Sequence, residues 1–260
     1  MKTAAKPFNL TRSLPAISCL VIATAWCVIT YGGLVGPLFV PSPTAVLEKI
    51  FSGLKDGSLL THCWASTRRV MIGWFFSALA ALPGGMLMAR SKKFTALLQP
   101  LIEFVRYLPV VALVPLTILY LGIGETQKYM VIWLGTFFQL VLMVCDTVSS
   151  VDRNYLNAAR TLGADRWQLY KEVIFPASLP GLLDDFRLTI GWAWTYLVVA
   201  EMVASSEGLG YIILKSQRFL ATDTIFMGLI LIGLIGLLTD FLLRMLTRLL
   251  VPWYKRLGDT

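Results

Sequence analysis

The stretch "NAARTLGADRWQLYKEVIFPASLP", Asn157 to Pro180, is charged and amphipathic, yet it lies between two strongly apolar segments. Its spacing predicts a short helix over 154–162 closed by Gly163, since helices commonly end on a left-handed residue and glycine takes that conformation without penalty. Asp165 then suits the N-cap of a second helix, with Gln168 three residues on as its capping-box partner. Trp167, Tyr170, Val173 and Ile174 fall on one apolar face of that helix, while Arg166, Gln168 and Glu172 line the polar side. Pro176 and Pro180 are expected to end it. The product is a rigid helix pair around a glycine turn. Ala158 and Ala159 are small enough to let a partner surface approach the helix backbone. Two readings stand at this point: a loop that docks on a partner, and a loop that packs on its own chain.

The surroundings decide the class of protein. The chain has 260 residues, is 57% hydrophobic and 15% charged, with a mean hydropathy of +0.70. No charge occurs between Arg12 and Glu48, Arg69 and Arg90, Arg106 and Glu125, or Asp223 and Asp240. Runs of about 20 apolar residues match the hydrocarbon thickness of a bilayer. The chain reads as an all-α integral membrane protein, because an isolated segment in lipid must satisfy its own backbone hydrogen bonds. Six spans are expected, at roughly 14–33, 68–89, 106–123, 128–149, 185–204 and 223–250. Residues 1–260 form one membrane domain, with an extra N-terminal span within 1–35 and the polar loop at 152–180. The N-terminal run has the look of a signal peptide but lacks a small-residue cleavage site, so it is read as a retained span. The segment from Pro41 to Gly57 starts on a Ser42-Pro43 helix signal and fits either an interfacial helix or an ordinary connector.

Orientation follows from counting basic residues in the connections. With the N-terminus in the cytoplasm, the inner segments hold Lys2, Lys6, Arg12, Arg90, Lys92, Lys93, Arg153, Arg160, Arg166, Lys171, Arg244, Arg248, Lys255 and Arg256. The outer ones hold Lys49, Lys55, Arg68, Arg69, Lys128, Lys215 and Arg218, half as many. Both termini and the polar loop are therefore expected on the cytoplasmic side. The net charge of +8 reads as this asymmetry rather than as a nucleic-acid surface. Cys19, Cys27, Cys63 and Cys145 show no metal-ligand spacing and read as small core residues. His62 reads as an interfacial polar group. No Gly-x-x-x-x-Gly-Lys-Ser/Thr phosphate loop occurs in the sequence, so no ATP site is expected in this chain.

The polar loop resembles the EAA signature of the membrane subunits of bacterial ABC importers. That signature runs Glu-Ala-Ala, three residues, Gly, nine residues, Ile-x-Leu-Pro. Here Asn157-Ala158-Ala159, Gly163 and Val173-Ile174-Phe175-Pro176 stand at the same spacing. Asn157 replaces the signature carboxylate, so an ion pair made there by the family does not carry over to this chain, and the Asn157 amide offers a hydrogen bond in its place. Further segments, "FVPSPTAVLEKI", "LIEFVRYLPVVALVPLTILYLGIGETQK", "VVAEMVASSEGLGYII" and "FLATDTIFMGLILIGLIGLL", are similar in the same order to the nitrate, sulfonate, taurine and bicarbonate branch of these permeases.

The resemblance implies a type I importer permease fold and a homodimer with a central alternating-access pathway. It also implies two ATP-binding subunits docked on the loops, and a solute-binding protein outside that delivers a small, typically anionic solute. The chain itself would be non-catalytic, with no cofactor of its own, ATP and magnesium being used by the ATPase subunits. The coupling surface would comprise Asn157, Ala158, Ala159, Arg160, Leu162, Gly163, Ala164, Asp165 and Arg166. The location would be the bacterial inner membrane, with lipid as the other contact and no nucleic acid. Pathway candidates are Trp133, Gln139, Gly191, Trp192, Thr195 and Glu201. Trp192 and Thr195, three apart, share a helix face. Glu201 reads either as a pathway charge or as an interfacial carboxylate bonded to nearby backbone, the second being favoured. Arg106 reads as an anion-attracting group, as a side chain snorkelling to the cytoplasmic headgroups, or as a partner of Glu103, with snorkelling favoured. Asp184, Asp185 and Arg187 read as a salt-bridged hinge or a solvated boundary. The rival class, an ATP-independent channel or secondary carrier, would place several acidic groups in mid-span and leaves the helix pair unexplained.

Overall fold

The long uncharged runs become helices, and the polar and proline punctuation marks their ends. The computed structural model describes residues 10–203 and 205–253; Lys2, Lys6, Lys255 and Arg256, counted above for orientation, lie outside them. No strand occurs among the described residues. Helix α1 spans Leu10–Tyr31 and α2 spans Pro43–Lys55. The α2 start is built as its sequence dictates: Ser42 is the N-cap, its hydroxyl accepts from the Ala45 N–H, and Pro43 occupies the first turn, where a missing N–H costs nothing. Val46 buries against Leu59 and Met227, while Leu47, Phe51 and Leu54 on the same helix stay exposed.

Helix α3, Ser58–Arg90, is followed by α4, Lys92–Arg106, whose N-cap hydroxyl is Ser91. Helix α5, Val110–Leu121, begins after Pro109, and α4 and α5 are bent by 98° across that break. Proline removes a donor and forces the preceding residue out of helical geometry, which fixes the break there. Helix α6, Glu125–Ser149, leads to α7, Arg153–Thr161. A one-turn α8, Arg166–Gln168, a π-helical segment Leu169–Ile174 and α9, Phe175–Met202, abut without an intervening loop. Helices α10, Leu209–Arg218, and α11, Thr222–Leu250, complete the described fold.

The core is the seam between α3, α6 and α9. Ala81, Met88, Leu140, Val144 and Leu182 fill one half, and Val70, Trp74, Ile132, Ile190 and Trp194 the other. Helices α3 and α6 approach so closely that a Cβ at Gly85 would lie 2.6 Å from a Val144 side-chain carbon. Small residues permit such backbone contact in membrane bundles, where packing rather than water exclusion drives association.

The count of six spans is not exact. On length and composition three described helices, α3, α6 and α11, suffice to cross a bilayer, and the bent α4–α5 pair makes a fourth, broken one. The expected span 106–123 is therefore not straight; only α5 runs through it, because Pro109 interrupts the apolar run. The expected span 185–204 is the far half of α9, which starts at Phe175 and carries Asp184, Asp185, Arg187 and Glu201. Within α1, the segment Ile17–Tyr31 is apolar.

Candidate coupling surface and intramembrane cavity

The polar loop folds around its caps. Asp152 caps α7 by accepting from the Asn154 N–H at 2.8 Å. Gly163 takes φ +86°, the left-handed region that side-chain-bearing residues avoid, and the Ala164 N–H returns to the Ala159 carbonyl at 3.0 Å. Asp165 Oδ1 accepts from the N–H groups of Trp167 and Gln168, each at 2.7 Å, while the Asp165 N–H donates to Gln168 Oε1 at 2.9 Å. This is a complete capping box.

Two expectations need correction. Pro176 and Pro180 do not end the second helix: it continues through both into α9. For Pro176, the π-helical turns just before it give the reason. A proline ring collides with the carbonyl four residues back in a regular α-helix, and the wider π-turn, common as a local bulge within α-helices, takes up the misfit. Trp167 also leaves the apolar face on which it was placed. It is 70% exposed, whereas Ile174 is buried and Tyr170 and Leu156 pack on the α3–α6 core. The Tyr170 hydroxyl donates to the Met86 carbonyl at 3.5 Å, and the Arg90 guanidinium lies 5.6 Å from its ring centre. Burial pushes the Tyr170 phenol above its ordinary value, so it stays a donor.

The helix pair is thus bolted to the bundle on one side and bare on the other. Asn157, Ala158, Arg160, Leu162, Gly163, Asp165 and Arg166 are exposed, and Ala159 and Ala164 half-buried. Leu162, at the tip, is 88% exposed.

A cavity of about 190 Å³ opens where the α4–α5 break meets α6 and α9. Arg106, Gln139, Trp192 and Tyr196 line it. Arg106 does not pair with Glu103, which instead accepts from Gln99 at 2.8 Å. Its Nη1 donates to Gln139 Oε1 at 3.1 Å and its Nη2 to the Tyr107 hydroxyl at 3.3 Å. The Arg106 Nε is buried without a partner. Of the other expected pathway residues, Gly191 and Thr195 share the exposed face of α9 with Trp192, though neither lines this cavity. Trp133 stacks on Phe137 with ring centres 4.4 Å apart and is not part of the cavity wall.

Glu201 lies elsewhere, at the end of α9, bonded to nearby backbone as read and in addition to Arg69, a partner that the sequence did not offer. It is 1% exposed and accepts from Arg69 Nη1 at 2.9 Å, Ser66 Oγ at 2.8 Å and the Gly210 N–H at 2.8 Å. Arg69 also donates to both Glu125 oxygens, at 2.6 and 2.8 Å, and Lys128 donates to Glu125 at 2.8 Å. The His62 Nδ1 accepts from the Gly208 N–H at 3.0 Å. This cluster ties α3, α6, α9 and α10 together at the end of α9 remote from the loop. Residue-by-residue reading missed it; the one available signal is that Arg69 opens a long uncharged run and Glu201 closes another. Arg187 pairs with Asp240 at 2.8 Å and with Asp184 at 3.3 Å, and Asp185 accepts from Thr147 at 2.7 Å. The salt bridge expected there is present, but the contacts brace a continuous helix and form a side-to-side clamp instead of a hinge.

A loop with EAA spacing, joined by continuous helix to a bundle with a part-polar cavity, also matches at the level of sequence family. Residues 81–255 fit the model of the binding-protein-dependent transport system inner membrane component. The chain belongs to that family.

Among relatives of this permease, the taurine transport system permease protein TauC of Escherichia coli (strain K12) is 37% identical, over 95% of this chain and 92% of its own length. The putative aliphatic sulfonates transport permease protein SsuC of Bacillus subtilis (strain 168) is 35% identical, over 90% of this chain and 84% of its own. The nitrate import permease protein NrtB of Synechocystis sp. (strain ATCC 27184 / PCC 6803 / Kazusa) is 28% identical over 92% and 89%. In fold, the permease is similar to a chain of the MetNI methionine ABC transporter, with a TM-score of 0.64 at 19% identity, covering 78% of this chain and 98% of that one. It is an integral membrane permease subunit of an ABC importer, a transport component whose family works with ATP-hydrolysing and solute-binding partners.

Proposed function

We propose that two copies of this permease form the alternating-access pathway, with both termini and the loop 152–180 on the cytoplasmic side of the inner membrane. Two ATPase subunits dock on the exposed residues from Asn157 to Arg166 and supply ATP and magnesium chemistry that this chain lacks. A solute-binding protein delivers a small anion of the sulfonate, taurine or nitrate kind, the solutes named for the relatives above.

One observation carries this reading: the loop tip and the cavity are on one helical track. From Arg166 to Met202 the backbone is helical without a loop, roughly 55 Å at about 1.5 Å per residue. Leu162 sits just before its start, Trp192 and Tyr196 line the cavity partway along, and Glu201 is locked at its far end. A displacement imposed on the tip by closing ATPase subunits is therefore delivered to the cavity wall. The exposed α9 face bearing Gly191, Trp192 and Thr195 is assigned to the second copy and the pathway between the two.

Two measurements test this. A tagged chain extracted in mild detergent is expected to bring down an ATP-binding subunit; a preparation that never does so removes the docking assignment. Thr195→Cys is expected to yield a disulfide-linked dimer on mild oxidation in membranes, and a strictly monomeric product removes the homodimer.

A further inference from the structure

The described arginines that reach into the helical bundle differ in one respect. Arg69 is held by Glu125 and Glu201, and Arg187 by Asp184 and Asp240. Arg106 has no carboxylate within ion-pair distance among the described residues; its partners are the neutral Gln139 amide and Tyr107 hydroxyl, with the Tyr107 ring 5.0 Å away. Its Nε is buried and bonded to nothing.

The depth of the site makes this costly. Gln139 lies fourteen residues into α6 from Glu125, roughly 21 Å along a helix of roughly 37 Å at about 1.5 Å per residue. Trp192 lies nine residues before Glu201, roughly 13 Å along α9 by the same rise. The cavity therefore falls inside a hydrocarbon slab of about 30 Å. An ionised side chain at such depth is expensive unless paired, and an unpaired one marks a solute path. The break between α4 and α5 supplies the same signature, because interrupted helices in transporters place their free backbone groups at solute sites. Val110, at the N-terminal end of α5, lines the cavity, and a helix N-terminus carries partial positive charge.

We propose that Arg106 and Gln139 form an anion-recognition subsite inside the pathway, which takes the oxyanion head of the transported solute as Arg106's missing counter-charge. The guanidinium gives a planar fork of donors suited to a sulfonate or nitrate, and the Gln139 amide carries two further N–H donors. Leu113, Leu134 and Phe138 on the same wall accept a short apolar tail. This rests on the reading of the chain as the pathway of an anion importer.

The test is uptake of labelled ethanesulfonate, taurine and nitrate by the complete importer in proteoliposomes, with its ATPase subunits and binding protein, read together with ATP hydrolysis. Arg106→Gln is expected to lower solute imported per ATP hydrolysed at least tenfold, while hydrolysis stimulated by the loaded binding protein persists. Arg106→Lys is expected to keep at least a third of wild-type uptake, since the charge remains. Gln139→Ala is expected to lower uptake at least threefold, and it decides the matter if Arg106→Gln does not assemble. Uptake by Arg106→Gln, or by Gln139→Ala where that variant decides, within twofold of wild type overturns the subsite and leaves the importer reading standing. Equal loss in Arg106→Lys and Arg106→Gln, together with lost ATP hydrolysis, also overturns it by showing a packing role. A wild-type complex that imports none of the three anions overturns the anion assignment and the subsite with it.

Discussion

Arg69 Nη1 and Glu201 Oε1 lie 2.9 Å apart, and each residue is 1% exposed. This contact joins α3 to α9 at the end remote from the polar loop, and Ser66, Glu125 and the Gly210 N–H are bonded to the pair. Removing Arg69 leaves Glu201 buried without a cation, with only the Ser66 hydroxyl and the Gly210 N–H as donors. Arg69→Leu is therefore expected to destabilise the fold by about 3–5 kcal/mol. Glu201→Gln, which keeps an acceptor for Arg69 and Ser66, should cost less. Thermal unfolding of the detergent-extracted protein checks the order; equal midpoints for Arg69→Leu and wild type would contradict it.

Gly163 holds the turn between the two loop helices at φ +86°, and a Cβ there would meet nothing within 4 Å. The cost of Gly163→Ala is thus purely conformational, about 1–2 kcal/mol, while Gly163→Asn, whose side chain tolerates that region, should cost less. Gly163→Asp, which adds charge at the docking surface, is expected to abolish transport and coupled ATP hydrolysis while the chain still inserts. Full transport by Gly163→Asp would remove the mechanical role of the turn.

Leu162 is 88% exposed at the loop tip, where an apolar side chain gains only when something covers it. Leu162→Asp is expected to reduce recovery of the ATPase subunit with the tagged chain at least fivefold, with unchanged thermal stability of the isolated chain. Burying one leucine side chain is worth about 1.5–3 kcal/mol, a change of that order or larger. Undiminished recovery would move the docking contact elsewhere.

Gly135 faces the Tyr196 ring so closely that any Cβ would overlap it. Gly135→Ala is expected to drive Tyr196 toward the cavity that both residues line and to slow uptake severalfold without loss of ATPase docking. Normal uptake with normal docking would show that the ring can yield away from the cavity.

The loop shows how far local chemistry reaches. The Asp165–Gln168 capping box and the turn at Gly163 form as their sequence requires, because caps and left-handed glycines are set by groups within three or four residues of one another. The prolines fail as terminators for the same reason in reverse. Whether Pro176 stops a helix depends on whether the surrounding packing accommodates a wider turn, and here Tyr170 and Ile174 are held against the α3–α6 core while the helix passes through. Trp167 could not be placed by periodicity, because the π-turn that follows it is set by this packing. Gln139 and Trp192 were legible as polar or aromatic residues in apolar spans, but Trp133 looked equivalent and packs on Phe137 instead.

The sequence by itself determined that this chain is a helical membrane permease with a capped polar loop of EAA spacing, since uncharged run length and motif spacing are properties of the chain in one dimension. Tertiary structure alone decided the partner of each buried charge. Glu201 finds Arg69 across 132 residues of chain, whereas Arg106, one turn from Glu103, finds no acid among the described residues. A buried charge pairs with whatever the bundle brings within a few ångströms, and sequence distance carries no information about that.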